Sequence, residues 1–164
     1  MTSLDALDLA ILDELQRDGR LANAELARRL NLSPPAVHAR VRRLEEQGFV
    51  RGYVALLDHD RLGFDMICFI HVTLQMHTSE QVERFRLAVR DMAEVLECHH
   101  VTGEFDYLLK VVVRNRQDLE RFVVQRLTPL PGMARIHTSL VLNEVKTTTA
   151  LPVVEDEGRV KSEK

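Results

Sequence analysis

Two short stretches of this chain carry residue types that could do chemistry at a useful spacing. The first runs Ser33-Pro34-Pro35-Ala36-Val37-His38-Ala39-Arg40-Val41-Arg42-Arg43-Leu44. At about 100° per residue, Val37, Val41 and Leu44 share one stripe, while Pro35, His38, Ala39 and Arg42 point away from it and Arg43 sits near the edge. His38 and Arg42 can each hydrogen-bond the acceptors on a guanine edge; Pro35 and Ala39 are small enough for close approach to thymine methyls. Ser33 and Ala36 complete the leading end of this candidate DNA-reading helix. Arg28, Arg29, Arg40, Arg43 and Arg51 suit phosphates, which fix register without reading sequence. The plainer alternative is an ordinary solvated helix face.

The second stretch is Thr102-Gly103-Glu104-Phe105-Asp106-Tyr107. A glycine at a strand-to-strand turn frees backbone N–H groups that can hold a carboxylate. Glu104 and Asp106 can meet an ammonium, so the pair of features suits a zwitterionic amino acid. The alternative is a hairpin turn in which Gly103 only supplies positive φ.

Other chemistry finds little support. Cys98 and His100 would share a strand face with His99 on the other, Cys68 and His71 would lie on opposite faces, and no closed zinc set emerges; His77 and His137 are undirected. There is no GxSxG, GxxxxGK[ST] or HExxH, and Glu104 and Asp106 have no nucleophile placed beside them. The reading is therefore not an enzyme, with no metal and no cofactor. Two cysteines make no framework, which points to a reducing cytoplasm. No apolar run or leader-like N-terminus calls for membrane insertion or secretion. With aromatics at 5% and no Trp, a stacking platform for single strands is disfavoured.

The net charge of −3 hides a split. Up to Ala27, six acids (Asp5, Asp8, Asp13, Glu14, Asp18, Glu25) face only Arg17 and Arg20. From Arg28 to Arg51, six arginines (Arg28, Arg29, Arg40, Arg42, Arg43, Arg51) face only Glu45 and Glu46. Such a division gives one face suited to a polyanion.

The elements that must position these residues follow from capping and periodicity. Asp5 caps a first helix with Leu7, Ile11, Leu12 and Leu15 inward, Asp8 in its first turn and Gly19 at its end. Asn23 caps a second, with Leu26 and Leu30 buried; Asn31 suits a turn of positive φ. Ser33-Pro34 opens the third helix and Gly48 stops it. Two helices joined by so short a turn predict a helix-turn-helix.

Beyond it come a short strand over Gly52 to Leu57, a linker at Asp58 to Arg61, a strand over Met66 to Met76 and a helix from Ser79. Strands over Val95 to Thr102 and Asp106 to Arg114 follow, then a helix capped by Asn115 and a strand over Met133 to Leu142. That order, βαββαβ, is ferredoxin-like. Two helices cover one face of such a sheet, yet Val111-Val112-Val113 and Leu140-Val141-Leu142 are apolar on both, which predicts a homodimer through the open face.

The chain resembles the Lrp/AsnC (feast/famine) transcription regulators over residues 4 to 147. The likeness rests on LDALDLAILDELQRDGR, ELARRLNLSPPAVHARVRRLEEQGFVRGY, VTGEFDYLLKV and PGMARIHTSLVL, in that order. It implies sheet-to-sheet dimers that assemble further, often into octamers. It also implies a small effector, usually an amino acid, bound between dimers at Thr102, Gly103, Glu104, Asp106 and Tyr107. The recognition helix maps onto Pro34 to Gln47, and Phe105 stands where another aromatic is usual.

The expected class is α+β: a three-helix (winged) helix-turn-helix over 1–52, strand and linker over 53–65, a ferredoxin-like domain over 66–147, and a tail over 148–164 that is disordered at least from Glu155. The expected function is a cytoplasmic, sequence-specific regulator that binds double-stranded DNA under control of an amino acid, with no membrane role. The alternative is an architectural or metabolite-binding assembly protein with little sequence preference.

Overall fold

The computed structural model describes residues 4–153. It divides into two units, one formed by the chain up to Leu56 with the residues from Lys146 onward, the other by Leu57–Val145.

The first unit holds α1 (Ala6–Arg17), α2 (Asn23–Arg29) and α3 (Pro34–Glu46). Asp5 and Asp8 form a reciprocal capping box at the start of α1. Helix α1 ends at Arg17 with Asp18 as its extended cap, so Gly19 lies beyond the helix end. Ala22, not Asn23, caps α2; Asn23 is its first residue, with its side chain turned toward α3. Asn31 takes φ 54°, the left-handed value that a tight turn between α2 and α3 demands. Ser33 accepts from the Ala36 N–H, and Pro34 and Pro35 fill positions whose amides need no helical partner. Ile11, Leu12, Leu26, Ala27, Val37, Val41 and Leu44 close a small core.

The strand expected over Gly52 to Leu57 does not form. The chain there is irregular, with Val54, Leu56 and Leu57 exposed. A lone extended segment has no ladder partner within one copy of the chain, and β-propensity alone does not make a strand. The expected linker from Asp58 is instead partly a 3-10 turn, Asp60–Leu62, ended by Gly63. From Lys146 the described residues are irregular, and Gln16 of α1 holds the Leu151 backbone through two hydrogen bonds of 3.0 and 2.6 Å. The tail expected to be disordered from Glu155 lies outside the described residues.

The second unit is a four-stranded antiparallel sheet with β1 (Met66–Leu74), β2 (Val95–His100), β3 (Tyr107–Val113) and β4 (Met133–Leu140), ordered β2-β3-β1-β4. Helix α4 (Ser79–Arg90) and α5 (Arg116–Arg121), which continues as a π-helical turn Phe122–Leu127, lie on one face. This is the βαββαβ sandwich. The widened turn, with Thr128 N–H donating to the Val123 carbonyl, brings Phe122 and Leu127 into the same core. Cys68, Ile70, Val72 and Leu74 of β1 and Tyr107, Leu109, Val111 and Val113 of β3 alternate onto that face. Their neighbours Ile67, Phe69, His71 and Thr73, with Leu108, Lys110 and Val112, form the opposite face, which no helix covers. Strand β4 is an edge and ends at Leu140, two residues before the expected end; Ala134, Thr138 and Leu140 are exposed and Ile136 is half-buried.

Candidate nucleic-acid interface and effector turn

On α3, Pro35, His38, Ala39 and Arg42 are exposed together, as the helical spacing requires, and Ala36 is half-buried. Asn23 of α2 donates to His38 Nδ1 at 3.2 Å. With Nδ1 accepting, Nε2 carries the proton and is the ring's donor. Arg42 leans on Glu46 one turn on, at 2.7 Å, with both side chains well exposed. Such a pair is weak in water and readily exchanged for a better acceptor. Arg51 is exposed just beyond α3.

The remaining arginines are engaged with carboxylates of the same unit. Arg40 and Arg43, assigned from sequence to phosphates, both bind the carboxylate of Asp8. Asp8 is 1% exposed, whereas Arg40 and Arg43 are 26% and 43% exposed. Arg40 also reaches Asp5, and this hydrogen bond first of all holds the Asp5 carboxyl below its ordinary range. The pair thus clamps α3 to α1 and fixes its rotation. Arg29 is likewise held between Glu14 and Glu25, tying α2 to α1, and Arg28 forks onto Glu25 at 2.8 and 2.7 Å. The Arg28 and Arg29 hydrogen bonds hold the Glu25 carboxyl down to about 2. A signal for Asp8 was available: it stands three and four residues before Ile11 and Leu12, inside the apolar stripe.

In the second unit, the turn between β2 and β3 spans 101–106. Gly103 takes φ 121°, and open space surrounds the position of a Cβ, so only its backbone demands glycine. Thr102, Gly103 and Glu104 are exposed. Glu104 pairs with Arg135 at 2.9 Å, and that guanidinium lies over the Phe105 ring. Asp106 is already engaged at both oxygens, by the Leu74 N–H and by His77 Nε2, each at 2.7 Å. Burial pushes its carboxyl up, but the Leu74 N–H and the His77 ring outweigh it and hold it below the ordinary range. Tyr107 points to the helix side of the sheet and is 2% exposed. Asp106 and Tyr107 therefore anchor the turn in place of lining its outer surface. Their partners, Leu74, His77 and Phe85, are distant in sequence and left no local signal.

The register puts Cys98 and His100 on the helix side and Glu97 and His99 on the other. Among the described residues no helix is long and apolar enough to cross a membrane.

Known proteins share this architecture. Residues 67–151 match the Lrp/AsnC ligand binding domain, and residues 4–51 match a winged helix-turn-helix DNA-binding family. The chain belongs to the Lrp/AsnC family. The leucine-responsive regulatory protein of Escherichia coli is 42% identical to this Lrp/AsnC chain over 150 residues, 92% of each protein. A Neisseria meningitidis transcriptional regulator, solved as its L-Met complex, superposes with TM-score 0.89 at 38% identity, covering 92% of this chain and 97% of that one. An AsnC family regulator of Agrobacterium tumefaciens gives 0.87 at 32%, with the same coverage. As an Lrp/AsnC protein the chain is a DNA-binding transcription regulator with a ligand-binding domain, not an enzyme.

The clamp on Asp8 predicts that Asp8→Asn lowers unfolding free energy by about 2–4 kcal/mol in urea denaturation. A fully buried pair loses more on breaking, but both guanidiniums here keep some water. Glu25 sets a pH dependence: its folded carboxyl titrates near 2 against an ordinary value near 4.5. Its contribution is present above about pH 4.5 and lost as pH falls toward about 2, so stability declines across that window. Glu25→Gln flattens the decline in urea midpoints measured from about pH 5 to 2.

Proposed function

We propose that this regulator reads a pseudo-palindromic DNA site with His38 and Arg42 as base readers, aided by the close approach that Pro35 and Ala39 permit. The observation that carries this is the joint exposure of these four side chains on one face of α3. Ser33 and Ala36, at the leading end, and Arg28 and Arg51 approach the phosphates; Arg28 is exposed enough to exchange Glu25 for the backbone. Arg29, Arg40 and Arg43 hold the helices at the angle that makes this possible.

A symmetric dimer supplies the two recognition helices, spaced by about one helical turn of DNA or a multiple. The sheet face opposite the helices, where Phe69 and Leu108 stay half-exposed, favours a second copy as its cover. Dimers assemble further, in the octameric manner that the family resemblance implies. The effector is an amino acid, a reading supported by the L-Met complex of the Neisseria relative and the leucine response named for the Escherichia coli one. It lies at subunit junctions by the turn, with the Thr102–Glu104 backbone offering N–H groups to its carboxylate and Glu104 facing its ammonium. Its binding shifts the assembly, and with it the spacing of the reading helices. The protein works in the cytoplasm.

Fluorescence anisotropy on DNA from the gene's own upstream region, against a scrambled duplex, tests the reading. Tighter binding to the native duplex, changed by a mixture of amino acids, is expected. His38→Ala and Arg42→Ala each cost about 1–3 kcal/mol on the native site and little on the scrambled one. Equal, salt-sensitive binding to both duplexes, unmoved by amino acids, would leave the architectural alternative. For the dimer, Leu108→Asp should bring the sedimenting mass down to the 18.8 kDa monomer.

A further inference from the structure

An open cleft of about 490 Å³ lies between α4 and the free-edge strand β2, on the helix side of the sheet. Arg86 and Arg90, one turn apart on α4, reach it from one side. Among the described residues neither forms an ion pair with a carboxylate, whereas Arg84 on the same helix is held by Glu80. The acids nearby are occupied: Glu94 binds Arg126 at 2.6 Å, and Glu97 binds His99 at 2.9 Å. Two unpaired guanidiniums thus reach a cleft whose lining carries one carboxylate, Glu97, itself paired with His99.

Its inner end holds a second, independent feature. The Tyr107 hydroxyl is buried and has no hydrogen-bond partner. Its ring is fixed between Phe85, at 4.5 Å, and His100, stacked at 4.9 Å and 22°. Buried hydroxyls are rarely left unpartnered, and Tyr107 is one of the residues that line the cleft.

We propose that this cleft is a second small-molecule site, separate from the 101–106 turn, that takes a 2-oxo acid with an apolar side chain. Two guanidiniums bind the carboxylate, and Tyr107 donates to the adjacent keto oxygen. Val89, Val95 and Leu96 receive the apolar chain. An amino acid fits less well, because its ammonium would meet Arg86, Arg90 and His100, and the one carboxylate in the lining, Glu97, is taken by His99. Occupation bears on the turn as well: Tyr107 directly follows Asp106, and His100 acts electrostatically on that carboxyl.

The sequence supplies the probe. There is no Trp and only two tyrosines, so in a full-length Tyr53→Phe protein all the intrinsic emission comes from Tyr107. Titration with 4-methyl-2-oxopentanoate should change that emission saturably. Arg86→Gln and Arg90→Gln, both at exposed positions, should each weaken the apparent affinity about tenfold. Calorimetry on Tyr107→Phe should show a smaller loss with the circular dichroism unchanged. No saturable change at millimolar ligand, or one that the two arginine variants leave intact, overturns the proposal. Leucine giving the same arginine-dependent change overturns the ligand class. DNA affinity measured on the same proteins separates either failure from a failure of the regulator reading.

Discussion

Asp8 governs how this protein presents itself to DNA. A carboxylate that is 1% exposed must find partners, and it finds them in Arg40 and Arg43, thirty-two and thirty-five residues away on α3. Those bonds set the rotation of the recognition helix about its own axis. Once Arg40 and Arg43 face α1, and Val37, Val41 and Leu44 face the core, geometry leaves Pro35, His38, Ala39 and Arg42 outward. The exposed face is thus what remains after electrostatics and burial have each claimed a stripe of the helix. Arg29 between Glu14 and Glu25 extends the same logic to α2. The acidic first helix and the basic second and third are complementary surfaces within one unit, before they are surfaces for anything else.

The second unit makes the same economy of charge around its turn. Asp106 is tied to β1 by the Leu74 N–H and to the following loop by His77. Glu104 is tied to β4 through Arg135. With its flanks so anchored, the stretch Thr102–Gly103–Glu104 is a short, defined arch in place of a loose loop. Preorganisation of this kind lowers the entropic cost of capturing a small ligand. The sheet beneath it carries Ile67, Phe69, Leu108 and Val112 on the face that no helix covers.

Much of this was legible in the linear pattern. Ser33 followed by Pro34 announced a helix start; Asn31 announced the left-handed turn before it; Asn115 announced the cap of α5. The strands expected over Met66 to Met76 and Asp106 to Arg114 form as β1 and β3, each two residues shorter. Where the pattern misled, a long-range partner was decisive. Gly52 to Leu57 has strand-like residues but no neighbouring strand in one chain, and Asn23 lost its place as a cap because its amide turned to His38. The π-helical turn at Phe122–Leu127 answers to core packing, which no local propensity reveals.

The sequence by itself determined the order of the helices and of the four sheet strands, and the side of α3 left exposed, because helical and strand periodicities are local geometry. Only the tertiary structure decided which arginines are committed to carboxylates, that Asp106 and Tyr107 support the turn from below, and that Arg86, Arg90 and Tyr107 line one cleft. Those facts depend on pairings between residues far apart in the chain. A charge or a hydroxyl has the same letter in the sequence whether its partner is water, a carboxylate or a ligand.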